Sequence, residues 1–220
     1  MRGSHPIREQ ENLWNEVLGL ADHVETAIET AIEALCEGRS DLVAEVRAEE
    51  AEIDRWEVRI EQECLRALAL YELVAIDLRR VVAALRINRE LERLADIAES
   101  LARRAPKLGR DPSARDFLPR IGELARSVLG VVGGCLQTLR TLDSQQARVL
   151  AAKDREIDRQ RAALLSALKQ RIREQPERVG TWLRLINSAR SLGRVGDHAT
   201  HIAAAVVYLK EGVLLHGGAE

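Results

Sequence analysis

Two carboxylates one helical turn apart are the first candidates for chemistry in this sequence. Glu92 and Asp96 lie in the stretch 85–105, whose apolar residues recur every three or four positions and predict one buried seam of an α-helix. At this spacing the two acids share a helix face, where like charges destabilise a helix by about 0.2–0.5 kcal/mol. A hard metal cation between their oxygens would compensate the charge. So would Arg89 and Arg93, each three residues before one of the acids.

The acidic pair recurs along the chain, and the recurrence favours the cation over local ion pairs. The second predicted helix of each half carries the same spacing, and the last helix keeps one acid with a glycine in place of the other. These positions are Glu50 and Asp54, Asp154 and Asp158, and Gly193 and Asp197. His201 lies one helical turn after Asp197 and would add an imidazole ligand. We predict binding of iron or zinc, or else of manganese or magnesium. The predicted ligands are Glu50, Asp54, Glu92, Asp96, Asp154, Asp158, Asp197 and His201.

Long helices must position these acids. Apolar residues repeat with helical spacing in three segments before a linker at 107–116, which contains Gly and Pro, and in three segments after it. The two sets align: EEAEID in the first half matches KDREID roughly 100 residues later. RELERLADIAESLA at 89–102 likewise matches RSLGRVGDHATHIA at 190–203. The sequence therefore predicts an all-α protein of two tandem, similar three-helix bundles, at 1–108 and 109–220.

The composition argues against several classes of protein. Hydrophobic residues make up 46% of the 220 residues but aromatic residues only 3%, which favours helices packed through small and aliphatic side chains. The net charge of −2 lacks the basic excess that nucleic-acid binding needs. No apolar run approaches the roughly 18 residues of a membrane span, and the first residues do not resemble a signal peptide. Three widely spaced cysteines, Cys36, Cys64 and Cys135, indicate reduced thiols in a cytoplasmic protein.

Several motifs resemble those of the PhoU family of phosphate-signalling regulators. They are ELERLAD at 90–96, GRVGDHATHIA at 193–203 followed by VVYLKEG, VAIDLR at 74–79, and the EID of both second helices. The resemblance extends from about Leu13 to Gly212, and it implies two three-helix bundles, often dimeric, with metal ions held at E(D)xxxD motifs. It also implies a non-enzymatic, negative regulator of high-affinity phosphate uptake and of the phosphate-starvation response. Its implied partners are the ATPase of the phosphate ABC transporter and a membrane sensor histidine kinase.

The chain departs from the family pattern, and the departures leave alternatives open. The second half has Gly193 at the position that Glu92 occupies in the first half. The family motif also has an asparagine one turn after its aspartate, and this chain has Ser100 and His201 at those two positions. One alternative is a salt-bridged helical scaffold without metal. Another is a PhoU-like accessory of a different phosphate transporter. A carboxylate-bridged metal enzyme is disfavoured, because neither His198 nor His201 lies three residues after a glutamate.

Overall fold

The computed structural model describes residues 5–151 and 154–215, and it describes side chains for 11–150 and 156–215. Within these ranges the chain forms eight α-helices and two short 3₁₀ turns, and it forms no strand. The helices are α1 (His5–Glu37), α2 (Leu42–Leu70), α3 (Ala75–Ala102), α4 (Ala105–Gly109), α5 (Leu118–Thr141), α6 (Ser144–Ala151), α7 (Asp154–Glu174) and α8 (Val179–Glu211). The all-α prediction is confirmed.

The first bundle consists of α1, α2 and α3, each of which packs against the other two. The seam predicted in the stretch 85–105 is buried, including Ile87, Leu91 and Leu94 on α3. Full burial of each such side chain stabilises the fold by about 1.5–3 kcal/mol. The buried stripe of α2 is narrower than that of α3, because the buried residues of α2 recur only about every seventh position. They are Leu42, Val46, Ile53, Ile60 and Cys64. The flanks of this stripe are therefore available to acidic side chains.

The second bundle consists of α5, α8 and the helical segments α6 and α7 that lie between them in the chain. The sequence predicts one helix from Ser144 to about residue 172. The described chain is helical from Ser144 to Ala151 and from Asp154 to Glu174. Residues 152–153 lie outside the described residues, so whether one helix runs through them stays a prediction. α6 has a clear start, because the carboxylate of Asp143 accepts hydrogen bonds from two backbone N–H groups in its first turn.

The two bundles share one continuous core. α3 packs along α8 and α1 packs against α5, so the last helix of each half lies at the centre of the molecule. A polar bridge also joins the halves: the Arg104 guanidinium donates to Ser100 Oγ and to Ser191 Oγ, each at 3.1 Å. Burial lowers the pKa of this guanidinium. The prediction of two tandem three-helix bundles is confirmed.

The three thiols differ in burial, and this predicts their reactivity. Burial raises the pKa of Cys64 and of Cys135 to about 12. Cys36 is only half-buried, although burial and the neighbouring Glu37 raise the pKa of its thiol too. Because only the thiolate reacts with disulfide reagents, we expect the native protein to release at most one equivalent of thionitrobenzoate from Ellman's reagent at pH 8.

Cys36→Ser provides the control for this measurement. The native variant should release almost no thionitrobenzoate until a denaturant exposes Cys64 and Cys135. Fast reaction of two or three thiols in the native wild-type protein would contradict the burial described here.

Candidate functional site

The acids predicted in the first half lie on one face, where flanks of α2 and α3 adjoin. The electrostatic contacts cross between the helices: Asp96 of α3 acts on Glu50 of α2, and Glu57 of α2 acts on Glu92 of α3. Glu57 was not among the predicted ligands. We call this group the acidic face, and its members are Glu50, Asp54, Glu57, Glu92 and Asp96. The structure therefore places the four acids predicted in the first half on adjoining flanks of α2 and α3.

The negative charge of the acidic face is poorly compensated. Burial raises the pKa of Glu92, and the charge of Asp96 raises it further, whereas Arg93 acts in the opposite direction. Burial also raises the pKa of Glu50, with Asp54 as the next largest cause. A raised carboxyl pKa means that the ionised form is disfavoured in the folded protein. A bound cation would relieve that penalty.

Arginine side chains neutralise this face only in part. Arg93 approaches Glu92 and Asp96 at 3.5 Å each, through a side chain that is itself exposed. Exposed ion pairs contribute about 0–1 kcal/mol. Arg89, the other arginine that the sequence offered, lines a cavity around Glu90 instead. Local ion pairing is thus present at the acidic face but weak.

The donor chemistry of the acidic face fits a hard cation. All its donors are carboxylate oxygens, which suit magnesium, manganese or iron. Among the described side chains, the only three His, Cys, Asp or Glu residues with ligand atoms within 4.8 Å of one another are Glu90, His198 and His201. A cation on the acidic face would therefore have to draw the exposed carboxylates of Asp54 and Asp96 inward. The first-half ligands stay a prediction.

In the second half Arg161 occupies the position that an acid of the acidic face has in the first half. The internal repeat pairs Glu57 with Arg161 and Glu92 with Gly193. The Arg161 guanidinium forms an ion pair with Asp158. Its Cδ lies 2.7 Å from the position that a Cβ atom on Gly193 would occupy. The missing side chain therefore makes room for the arginine, and these residues do not fit a metal ion, because a fixed positive charge already lies among them.

The remaining predictions for the second half concern three residues. Asp197 is half-buried on α8. Asp154 begins α7, but its side chain lies outside the described residues. The third residue, His201, points to a different partner from the one predicted. Its Nδ1 atom lies 3.3 Å from Glu90 Oε2 on α3. The assignment of these residues to a metal ion stays a prediction.

A histidine–glutamate cluster joins α3 to α8 where these central helices pack. His198 Nδ1 lies 2.7 Å from Glu90 Oε2, so the two histidines converge on one carboxylate oxygen. Burial acts to raise the pKa of Glu90, but the hydrogen bond from His198 and the charges of both histidines lower it overall. His198 was not among the predicted ligands. Its partner, Glu90, was not predicted.

The comparison with known proteins decides the family. The model of the PhoU domain matches residues 17–105 and, a second time, residues 121–206. The chain belongs to the PhoU family. The two matches lie on either side of the boundary predicted at residue 108, which itself stays a prediction.

Curated relatives and solved structures agree with this PhoU assignment. The phosphate-specific transport system accessory protein PhoU homolog of Pseudomonas putida is 33% identical over 207 residues, covering 93% of this chain and 80% of that protein. The homolog of Aquifex aeolicus is 32% identical over 209 residues, covering 95% and 94%. The crystal structure of PhoU from Pseudomonas aeruginosa is similar at a TM-score of 0.86 and 32% identity, covering 94% of this chain and 99% of that chain.

Proposed function

We propose that this PhoU-family protein is a non-enzymatic accessory regulator of phosphate transport. It represses high-affinity phosphate uptake and the phosphate-starvation response. Relatives named as phosphate-specific transport system accessory proteins support the link to phosphate transport. The regulatory sign, the partners and the homodimer come from the family resemblance. The partners are the ATPase of the phosphate transporter and a sensor histidine kinase, met in the cytoplasm. No described helix has the length and apolar character needed to cross a membrane.

The observation that carries the mechanism is the poorly compensated acidic face. Glu50, Asp54, Glu92 and Asp96 would hold iron, zinc, manganese or magnesium between α2 and α3. When bound, the cation supplies positive charge to carboxylates whose ionised form is disfavoured, as the raised pKa of Glu50 and of Glu92 indicates. Both helices belong to the first bundle, so binding ties their exposed flanks together. We propose that partner proteins recognise this face in its cation-bound form.

Neutralising the acidic face should abolish regulation. In a bacterium that lacks its own PhoU-family protein, we expect the wild-type chain to repress a phosphate-starvation reporter in phosphate-rich medium. The double variant Glu92→Gln/Asp96→Asn should leave the reporter derepressed, because the remaining carboxylates bind a cation too weakly. The readout is reporter activity at matched protein levels.

A second acidic pair serves as the matched control. Glu29 and Glu33 are exposed on α1 with the same four-residue spacing. The variant Glu29→Gln/Glu33→Gln removes the same charge and should repress like the wild type. Full repression by Glu92→Gln/Asp96→Asn would show that the acidic face is not needed for regulation.

A second candidate function is a PhoU-like accessory of another phosphate transporter, built as a salt-bridged scaffold without metal. The ion pair between Arg161 and Asp158 favours it, because the second half already supplies a cation of its own. This candidate predicts that the purified protein contains no metal and that EDTA does not change its melting temperature.

A further inference from the structure

We propose that Glu90, His198 and His201 form a transition-metal site of the zinc type between α3 and α8. The open position of the metal faces a cationic cavity, where it takes an oxyanion of the phosphate type. The metal part does not depend on the proposed function. The oxyanion part rests on it, since it would let a phosphate regulator bind phosphate directly.

The three side chains lie close to the spacing of metal ligands. Zinc ligands at about 2.0–2.1 Å in a tetrahedral arrangement lie about 3.3 Å from one another. His201 Nδ1 lies at this distance, 3.3 Å, from Glu90 Oε2. His198 Nδ1 is hydrogen-bonded to the same oxygen at 2.7 Å, and the two must separate slightly for an ion to enter. All three ligand atoms lie within 4.8 Å of one another. Two histidines and one glutamate are also the ligand set of several zinc sites that keep a fourth position open.

The helices hold the ligands in place before any metal arrives. The two histidines are three residues apart and so lie on one face of α8, while Glu90 faces them from α3. Side chains of His198 and Glu90 are 19% and 22% exposed, whereas His201 is 50% exposed. Two ligands are therefore largely shielded from water, and the third lies at the entrance. Such a site is accessible to an ion and needs little rearrangement.

A cavity of about 550 Å³ opens beside the ligands, and arginines line it. Arg86 places its guanidinium over the Tyr208 ring at 4.7 Å, which fixes its position. The other arginines in the wall are Arg89 and Arg93, and Arg93 also approaches Glu92 and Asp96 of the acidic face. Together with a divalent metal they give the cavity a net positive charge, since Glu90 is the acid that lines it. Arginine pairs with phosphate through two parallel N–H donors, so an oxyanion bound to the metal would also meet these side chains.

The ligands of this site are distinct from those of the acidic face, although Arg93 borders both. Glu90 and Glu92 are two residues apart on α3, which places them about 200° apart around the helix. The ligand types differ as well: imidazole nitrogens favour zinc or cobalt, whereas a set of carboxylates favours hard cations. His201 stands where the family resemblance puts an asparagine, so the site uses an imidazole that the family motif does not supply.

Cobalt absorption tests the metal site in the purified full-length protein after removal of metal with EDTA. Tetrahedral Co²⁺ ligated by histidine absorbs visibly, and we expect this band to saturate with one Co²⁺ per chain at this site, in addition to any Co²⁺ that the carboxylates of the acidic face bind. His201→Asn should weaken binding at least about tenfold without loss of helical circular dichroism, because this side chain is half exposed. Glu90→Gln should weaken it similarly. His23→Asn, His5→Ala and Glu92→Gln/Asp96→Asn should leave the cobalt spectrum unchanged.

Inorganic phosphate tests the oxyanion part in the same sample. We expect phosphate to change the spectrum of bound Co²⁺ in a saturable way, and Arg89→Gln to weaken that response at least about fivefold while Co²⁺ affinity stays the same. An unchanged cobalt spectrum in millimolar phosphate would overturn the oxyanion part. Wild-type protein without the cobalt band, or a full band in His201→Asn, would overturn the site itself. Neither result would affect the repression assay, which depends on the acidic face.

Discussion

Replacing Gly38 with alanine is expected to cost the protein about 2–5 kcal/mol of its free energy of unfolding. Gly38 follows α1 with a φ of +70°, a left-handed conformation that costs alanine about 1–2 kcal/mol. A Cβ atom there would also lie 2.7 Å from Gly109 Cα, at the end of α4. Backbone atoms cannot move aside as a flexible side chain can, so overpacking adds about 1–3 kcal/mol.

Urea unfolding followed by circular dichroism measures this loss, and another glycine supplies the control. Gly130 lies in α5, and a Cβ atom there meets no heavy atom within 4 Å. Gly130→Ala should therefore raise the free energy of unfolding by about 0.5–1 kcal/mol, because alanine favours a helix interior. Equal stability of Gly38→Ala and wild type would contradict the close approach of the two backbones.

Two substitutions should build a second acidic face in the second half. The variant Arg161→Glu/Gly193→Glu removes the guanidinium. It also gives the second half carboxylates at the two positions that correspond to Glu57 and Glu92 of the first half. Without metal, we expect the variant to melt below the wild type because like charges are brought together. Cation at 100 times its dissociation constant should then stabilise the new site by about 2.7 kcal/mol.

The melting temperature with and without Mn²⁺ measures this effect. Gly193→Glu alone should gain little from Mn²⁺, because Arg161 can pair with the new carboxylate. A charge-matched control is Arg173→Glu/Gly130→Glu, which makes the same replacements at exposed positions elsewhere in the second bundle. If Mn²⁺ stabilises this control as much as the designed variant, the gain reflects net charge and not a site between α7 and α8.

Much of the fold was predictable because its signals are local. The apolar positions of the 85–105 stretch lie on one side of a helix, and the structure buries that seam at the centre of the molecule. The repeat of that stretch near 190–203 predicts the second bundle.

The candidate sites were predictable only within single helices. The four-residue spacing of Glu92 and Asp96 is enough by itself to place both acids on one face of a helix. The contacts that change the interpretation of the second half and of the histidines join different helices instead. Arg161 reaches from α7 over Gly193 on α8, and Glu90 reaches from α3 to the histidines of α8. Spacing along the chain cannot show such pairs. One signal was nevertheless present in the sequence. The alignment of EEAEID with KDREID, extended by three residues, matches Glu57 with Arg161 and so shows that an acid in the first half is an arginine in the second.

The metal content of protein purified without chelator tests the central claim, that the acidic face binds a cation. We predict iron, zinc or manganese in the wild-type protein, with the share bound by the acidic face lost in Glu92→Gln/Asp96→Asn. The variant His198→Asn/His201→Asn should keep that share, because its substitutions lie at the other site. Metal-free wild-type protein that melts identically with and without EDTA would contradict the claim, and would mean that the carboxylates serve only their arginine partners.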